Sequence, residues 1–238
     1  MEVKDLRVEI YADGADIDGM LQMSKESYIK GFTTNPSLMK KAGVKDYAAF
    51  AKEATEKIPD CSISFEVFSD DFSEMKKEAK VLADFGKNVC IKIPSTNTKG
   101  VSSAQLIREL SEEGVNLNIT AIFTLEQVKM AVEAFSSGTS NIVSVFAGRI
   151  ADTGVDPEPV MREAAKICRE KNGTKLLWAS CREVFNIVQA DRSGADIITV
   201  PNDILKKLKL LGKDMDAYSL ETVKQFYEDG KSLGFKLV

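Results

Sequence analysis

The sequence predicts an α/β protein: a single (β/α)8 barrel over residues 1–238, with an extra helix at the C-terminal end. Three observations carry that expectation. Short, β-branched apolar runs alternate with segments of helical periodicity. The alternation occurs eight times, at an average spacing of roughly 27 residues. No composition break or low-complexity linker divides the chain. Strands alternating with helices form a parallel sheet with right-handed crossovers, and eight such units close into a barrel.

The first strand covers 7–13, where Val8, Ile10 and Ala12 alternate with Glu9 and Tyr11. It stops on Asp13-Gly14, and Asp16 is placed to cap the helix that follows. A short second strand, 31–34, is halted by Asn35-Pro36, because proline cannot continue a ladder and moves the preceding residue out of the α region. Tyr47, Phe50, Ala51 and Ala54 give a helix over Tyr47–Lys57. Strand three is 62–67, and Met75, Ala79, Leu82 and Ala83 form one face of a helix over 72–85. Strand four is Val89–Pro94, with its helix at 101–113. Strand five, 116–120, precedes a helix at 125–135. Strand six, 141–146, precedes one at 157–169, with Pro157 suited to the first helical position. Strand seven is 175–179, its helix 183–191, and strand eight is 195–200. The basic run from Lys206 to Lys213 reads as a solvated helix face, and a last helix covers 220–233.

Composition narrows the function. Hydrophobic residues at 44% and charged residues at 29% are those of a folded, water-exposed protein and argue against disorder. A net charge of −4 gives no basic footprint for nucleic acid or an anionic membrane. No apolar run approaches the roughly 20 residues that span a bilayer. The N-terminus, Met1-Glu2-Val3-Lys4-Asp5, lacks the apolar core of a signal peptide, so a cytoplasmic location is expected. Cys61, Cys90, Cys168 and Cys181 form no C-x-x-C pair and read as buried small hydrophobes in a reducing compartment. There is no histidine. A Ser-His-Asp triad, a His-based catalytic zinc site and imidazole acid–base chemistry are therefore excluded.

Against that background Val89-Cys90-Ile91-Lys92-Ile93-Pro94 stands out, since it places a lysine in an apolar strand. Burial disfavours an ammonium charge and favours a free amine able to attack a carbonyl. The same reasoning applied to each strand end collects Asp13, Asn35, Glu66, Lys92, Thr120 and Ser144, followed by Arg149, Ser180 and Arg182. Singly, each has a plainer reading: Asp13 and Asn35 as turn residues, Thr120 and Ser144 as barrel filler, the arginines as surface, Lys92 as a strand-end side chain reaching solvent. Together they need one another, because a buried lysine and carboxylates at one depth are costly unless paired. Two arginines on adjacent loops with Ser180 beside them suit a phosphate monoester.

A lysine, two carboxylates and no histidine suggest imine chemistry on a ketose. Lys92 would form the Schiff base, Asp13 would act as general base for carbon–carbon cleavage, and Glu66 with Thr120 would position a water for imine formation and hydrolysis.

At this point the chain resembles the transaldolase family, and especially its short single-barrel branch, which includes the fructose-6-phosphate aldolases. The matching stretches are Gly31-Phe32-Thr33-Thr34-Asn35-Pro36-Ser37, Ile91-Lys92-Ile93-Pro94, Asn118-Ile119-Thr120-Ala121-Ile122-Phe123-Thr124, Ser144-Val145-Phe146-Ala147-Gly148-Arg149-Ile150-Ala151-Asp152 and Ala179-Ser180-Cys181-Arg182. The resemblance implies Lys92 as the Schiff-base lysine and Asp13 as the acid–base aspartate. It implies Asn35 as a ligand of substrate hydroxyls, Glu66 and Thr120 as holders of the catalytic water, Ser144 on the donor, and Arg149 and Arg182 as the phosphate clamp. Thr34, Phe146 and Ser180, within the same stretches, are expected to bind substrate.

Two positions separate the branches. The aldolases carry a glutamine on the third strand and a tyrosine after the sixth; here Glu66 and Phe146 stand in those places. Without a phenol to protonate the three-carbon enamine, group transfer is favoured over release of dihydroxyacetone. The expected activity is that of a transaldolase. The alternatives are a fructose-6-phosphate aldolase-type enzyme and a sugar-phosphate-binding barrel without catalysis. One departure is Asp13-Gly14, where the family usually has aspartate-threonine; glycine is expected to loosen the turn that places Asp13. No cofactor and no metal are expected, since neither a glycine-rich phosphate cup for pyridoxal phosphate nor a ligand cluster is evident. Sugar phosphates are the expected partners, with no nucleic acid and no membrane. The apolar Phe226, Tyr227, Leu233 and Phe235 predict that the tail, 214–238, packs on a neighbouring subunit of a homo-oligomer; the short branch suggests a pentamer or decamer.

Overall fold

A computed structural model describes residues 2–234. Eight parallel strands close in sequence order into a barrel. They are β1 (Glu9–Asp13), β2 (Ile29–Thr33), β3 (Ser62–Glu66), β4 (Val89–Pro94), β5 (Leu117–Ile122), β6 (Asn141–Val145), β7 (Thr174–Trp178) and β8 (Ile197–Pro201). The helices are α1 (Ile17–Met23), α2 (Pro36–Ala42), α3 (Tyr47–Lys57), α4 (Phe72–Ala83), α5 (Ala104–Glu112), α6 (Leu125–Ala134), α7 (Ala147–Asp152), α8 (Glu158–Arg169), α9 (Phe185–Ser193), α10 (Asn202–Leu205) and α11 (Met215–Leu233).

Local chemistry sets many of the ends. Asp16, Asp46, Asp71 and Asp214 each accept a backbone N–H in the first turn of α1, α3, α4 and α11, which satisfies a donor the helix itself cannot. Thr124 and Gln127 form a reciprocal capping box on α6. The strand Val89–Pro94 and the helix Tyr47–Lys57 have the predicted bounds. Three short helices, α2, α7 and α10, are additional to the eight units. The basic run is not a helix face: α10 ends at Leu205, a 3₁₀ turn follows at Leu208–Leu210, and Leu205 and Leu208 are buried while the lysines ride outside. The last helix begins at Met215, earlier than the predicted 220, because Asp214 caps it. Phe235 lies outside the described residues.

The main core fills the space between barrel and helices, with Phe32, Phe65, Ile91, Ile119 and Trp178 sealed from solvent. A smaller cluster of Tyr11, Cys90, Ile142, Leu177 and Ile197 packs separately. Tyr11 lies so close over β2 that a Cβ at Gly31 would sit 2.5 Å from its ring, which explains a glycine inside a strand. Above this plug the strands carry polar side chains instead, and the register pairs Asp13 with Thr33, Glu66 with Lys92, and Lys92 with Asn118. Parallel partners share a face, so this pairing gathers ionisable groups at the C-terminal mouth. Among the described residues, no helix is long and apolar enough to cross a membrane.

Candidate active site

Lys92 is the centre of the site. Only 6% of it is exposed, and its Nζ donates to the Thr34 carbonyl oxygen at 2.8 Å and lies 3.0 Å from Glu66 Oε2. A buried ammonium without such partners would cost several kcal/mol, roughly 3–5 by comparison with other broken buried pairs. The partners come from the ends of β2 and β3, the two strands that precede β4 around the barrel.

Asp13 closes the other side. Its Oδ1 accepts the Thr33 hydroxyl at 2.8 Å, and Thr33 Oγ1 also contacts the hydroxyl of Thr199 on β8. Burial pushes the Asp13 carboxyl above the ordinary aspartate range; the Lys92 charge and the Thr33 bond oppose that rise, and the Glu66 charge adds to it. The turn after Asp13 is firmer than the sequence suggests. Gly14 N donates to the Thr33 carbonyl at 3.1 Å, so β2 holds both the aspartate and the residue after it.

These groups open into a cavity of about 170 Å³ lined by Asp13, Thr33, Asn35, Lys92, Thr120 and Ser144, then Phe146, Arg149, Ser180, Arg182 and Thr199. Nine of the eleven residues expected from sequence line it or form its floor directly; two are placed differently. Glu66 is not part of the lining and reaches the site through Lys92. Thr34 is corrected as a substrate-binding side chain: it is fully buried, its hydroxyl donates to the Ser64 carbonyl at 2.9 Å, and only its own carbonyl oxygen meets the site, at Lys92. Its neighbour Asn35 caps α2, accepting Leu38 N–H at 3.0 Å, which leaves the amide NH2 as the group it can offer a ligand. The turn reading and the site reading of Asn35 are thus compatible.

On the β5–β6 side, Ser144 donates to Asn118 Oδ1 at 2.6 Å, and Asn118 donates to Ser64 Oγ at 3.1 Å. Asn118 is a buried amide in an apolar strand, the same kind of anomaly as Lys92, and that signal could have added it to the expected site. Thr33 and Thr199 gave no such signal, since threonine is an ordinary strand residue.

The arginines form the outer part. Arg149, on α7, lies with its guanidinium carbon 5.3 Å from the Phe146 ring centroid, a cation–π arrangement that fixes its direction. Arg182 pairs with Asp152 at the end of α7, and its backbone N–H donates to Asn186 Oδ1 at 2.7 Å. Between them Ser180 adopts a left-handed conformation, φ 66°, and α7 packs so tightly on it that a Cβ at Gly148 would stand 1.6 Å from the Ser180 carbonyl oxygen. Only glycine at 148 lets α7, and with it Arg149, approach the loop of Arg182. Three cations and one carboxylate line the cavity; Lys92 and Arg182 are paired with Glu66 and Asp152 at its edge, which leaves Arg149 as the lining cation outside those ion pairs. Among the described residues no group of histidine, cysteine, aspartate or glutamate side chains could hold a metal ion.

The chain resembles known proteins along most of its length. Residues 10–237 match the family model described as transaldolase/fructose-6-phosphate aldolase. A probable transaldolase from a Thermoanaerobacter species is 33% identical over 231 residues, covering 97% of this chain and all of the relative. Probable transaldolases from Roseiflexus castenholzii and Methanococcus maripaludis are 36% and 34% identical, each over 84% of this chain and 88% and 89% of their own length. A solved structure of a putative phosphonomutase from Burkholderia cenocepacia superposes with a TM-score of 0.59 at 13% identity, over 92% of this chain and 94% of that one, a likeness of fold alone.

Proposed function

This chain belongs to the transaldolase/fructose-6-phosphate aldolase family, and we propose that within it the protein is a transaldolase of the pentose phosphate pathway. It would move a dihydroxyacetone unit from fructose 6-phosphate or sedoheptulose 7-phosphate to erythrose 4-phosphate or glyceraldehyde 3-phosphate. The observation that carries this reading is the buried Lys92 amine, held between Glu66 and Thr34 at the floor of a cavity that Arg149 and Arg182 also line.

In this reading Lys92 passes a proton to Glu66 and attacks the ketose carbonyl. Water leaves the carbinolamine through a relay that Glu66 and Thr120 position, and the protonated imine becomes an electron sink. Asp13 takes the proton of the C4 hydroxyl as the C3–C4 bond breaks. The aldehyde departs and the three-carbon enamine stays on Lys92. The acceptor aldehyde then adds to the enamine, Asp13 returns its proton to the new hydroxyl, and water releases the product. Arg149, Ser180 and Arg182 hold the phosphate, and Asn35 and Ser144 orient the hydroxyls.

Phe146 favours transfer over free aldol cleavage. Its ring packs 5.6 Å from that of Phe123 and carries no hydroxyl to protonate the enamine. The deciding experiment is borohydride trapping with fructose 6-phosphate and peptide mass mapping, alongside turnover with and without erythrose 4-phosphate. A reduced adduct on Lys92, with turnover only when the acceptor is present, is expected. Comparable turnover without acceptor would move the protein to the aldolase reading, and an absent adduct would remove the imine mechanism.

The same reading includes a homo-oligomer in the cytoplasm, in keeping with four free cysteines. Helix α11 has no buried residue, and Met215, Leu220, Val223, Phe226, Tyr227 and Leu233 are all more than half exposed. That much apolar surface on one 19-residue helix is best covered by a second copy of the chain, in a pentamer or decamer. Truncation after Lys213 should lower the assembly mass in light scattering; an unchanged mass would refute it.

A further inference from the structure

Thr199 on β8 has no part in the scheme above, yet it touches the group that sets the position of the proposed base. We propose that Thr199 is a positioning residue for Asp13: with Thr33 it forms a two-hydroxyl chain, Thr199–Thr33–Asp13, that supports the aspartate in its ionised form. This rests on the acid–base role given to Asp13.

The geometry is specific. Thr33 Oγ1 donates to Asp13 Oδ1 at 2.8 Å, and the same oxygen contacts Thr199 Oγ1. Both threonines are buried and both line the cavity. They come from β2 and β8, the strands on either side of β1 at the seam where the barrel closes.

A hydroxyl has one proton and two lone pairs, so an ionised Asp13 sets the direction of the chain. While Asp13 is ionised, the single Thr33 proton is committed to the carboxylate, and Thr199 must be the donor at the Thr33–Thr199 contact. When Asp13 gains a proton the demand for that direction weakens, and the two hydroxyls can turn to other partners. Donors in series polarise one another, so the Thr199 hydroxyl strengthens the Thr33 bond to the carboxylate and favours the ionised base. The other charged groups facing Asp13 are Lys92 from β4, whose charge favours the ionised form, and Glu66 from β3, whose charge opposes it.

The test is a carbon-13 NMR titration of the aspartate carboxyls in the full chain, with the Asp13 signal assigned from Asp13→Asn. Thr199→Val keeps the shape of the side chain and removes the hydroxyl, so the Asp13 midpoint should move up, as the ionised form loses support. Thr199→Ala should do the same, which guards against a folding defect in either variant, and Thr199→Ser should titrate like the wild type. In turnover with erythrose 4-phosphate, kcat of Thr199→Val should fall about tenfold, the size of one hydrogen bond, with KM for fructose 6-phosphate unchanged. An unmoved midpoint in Thr199→Val and Thr199→Ala, or an equal shift in Thr199→Ser, overturns the proposal. The titration needs no turnover, so an inactive wild type would sink the transaldolase reading while this result still stood or fell by itself.

Discussion

Lys92→Met should lose borohydride trapping altogether and lower acceptor-dependent turnover by at least about 10³-fold. Among the described residues that line the cavity no other amine is placed to take over the proposed attack on the carbonyl. Among the described residues the other cations that line the cavity are Arg149 and Arg182, and a guanidinium stays protonated and does not form imines. Methionine matches the length of the lysine stem and keeps the packing of β4, so the loss should be chemical. The ion pair is also removed, and Glu66 is left without a cation beside it. Its side chain is 19% exposed, however, so water can reach it, and the variant should melt as one cooperative unit in circular dichroism. A Lys92→Met protein that retains turnover and still binds fructose 6-phosphate would remove the Lys92 imine mechanism from both enzyme readings. One that binds normally without turnover is the expected result. The sugar-phosphate-binding alternative is separated by the wild type, which in that case would bind without trapping.

The barrel was legible because its signals are redundant. Eight apolar runs and the helices between them report the same periodicity, and an error of two residues at any end leaves the topology intact. What sequence reading missed were α2, α7 and α10, of seven, six and four residues, too short to show helical periodicity. Lys92 could be found because a charge inside an apolar strand is an anomaly on its face. Thr33 and Thr199 could not, because their meaning arises only where β2 and β8 flank β1, a relation 166 positions long that no local pattern carries. Thr34 was misplaced for a related reason. Adjacent residues of an extended strand end point to opposite faces, and of the pair Thr33-Thr34 it is Thr33 that lines the cavity while Thr34 bonds to Ser64. Nothing in the sequence chooses between two identical neighbours.

Asp13→Asn should reduce turnover by about 10²–10³-fold and alter its pH dependence, the second outcome being the more diagnostic. Asparagine fills the same space and can still accept from Thr33, so binding of fructose 6-phosphate should change little. It cannot take the C4 hydroxyl proton. In the wild type, burial holds the Asp13 carboxyl above the usual aspartate range, with Lys92 and Thr33 working against the rise. The base form is therefore the one present above that raised value. With Asp13 as the proposed base, protonation as pH falls through that value should stop cleavage, so the acid limb of the kcat profile should lie at higher pH than an ordinary aspartate would give. Weakening the Thr33 bond should push the limb higher still, since that bond favours the ionised form. In Asp13→Asn the limb should disappear, leaving residual turnover flat across the same interval. A limb that survives the substitution would assign the base to another group, and Glu66 would then be the carboxylate to replace next, because it is the other one within reach of Lys92.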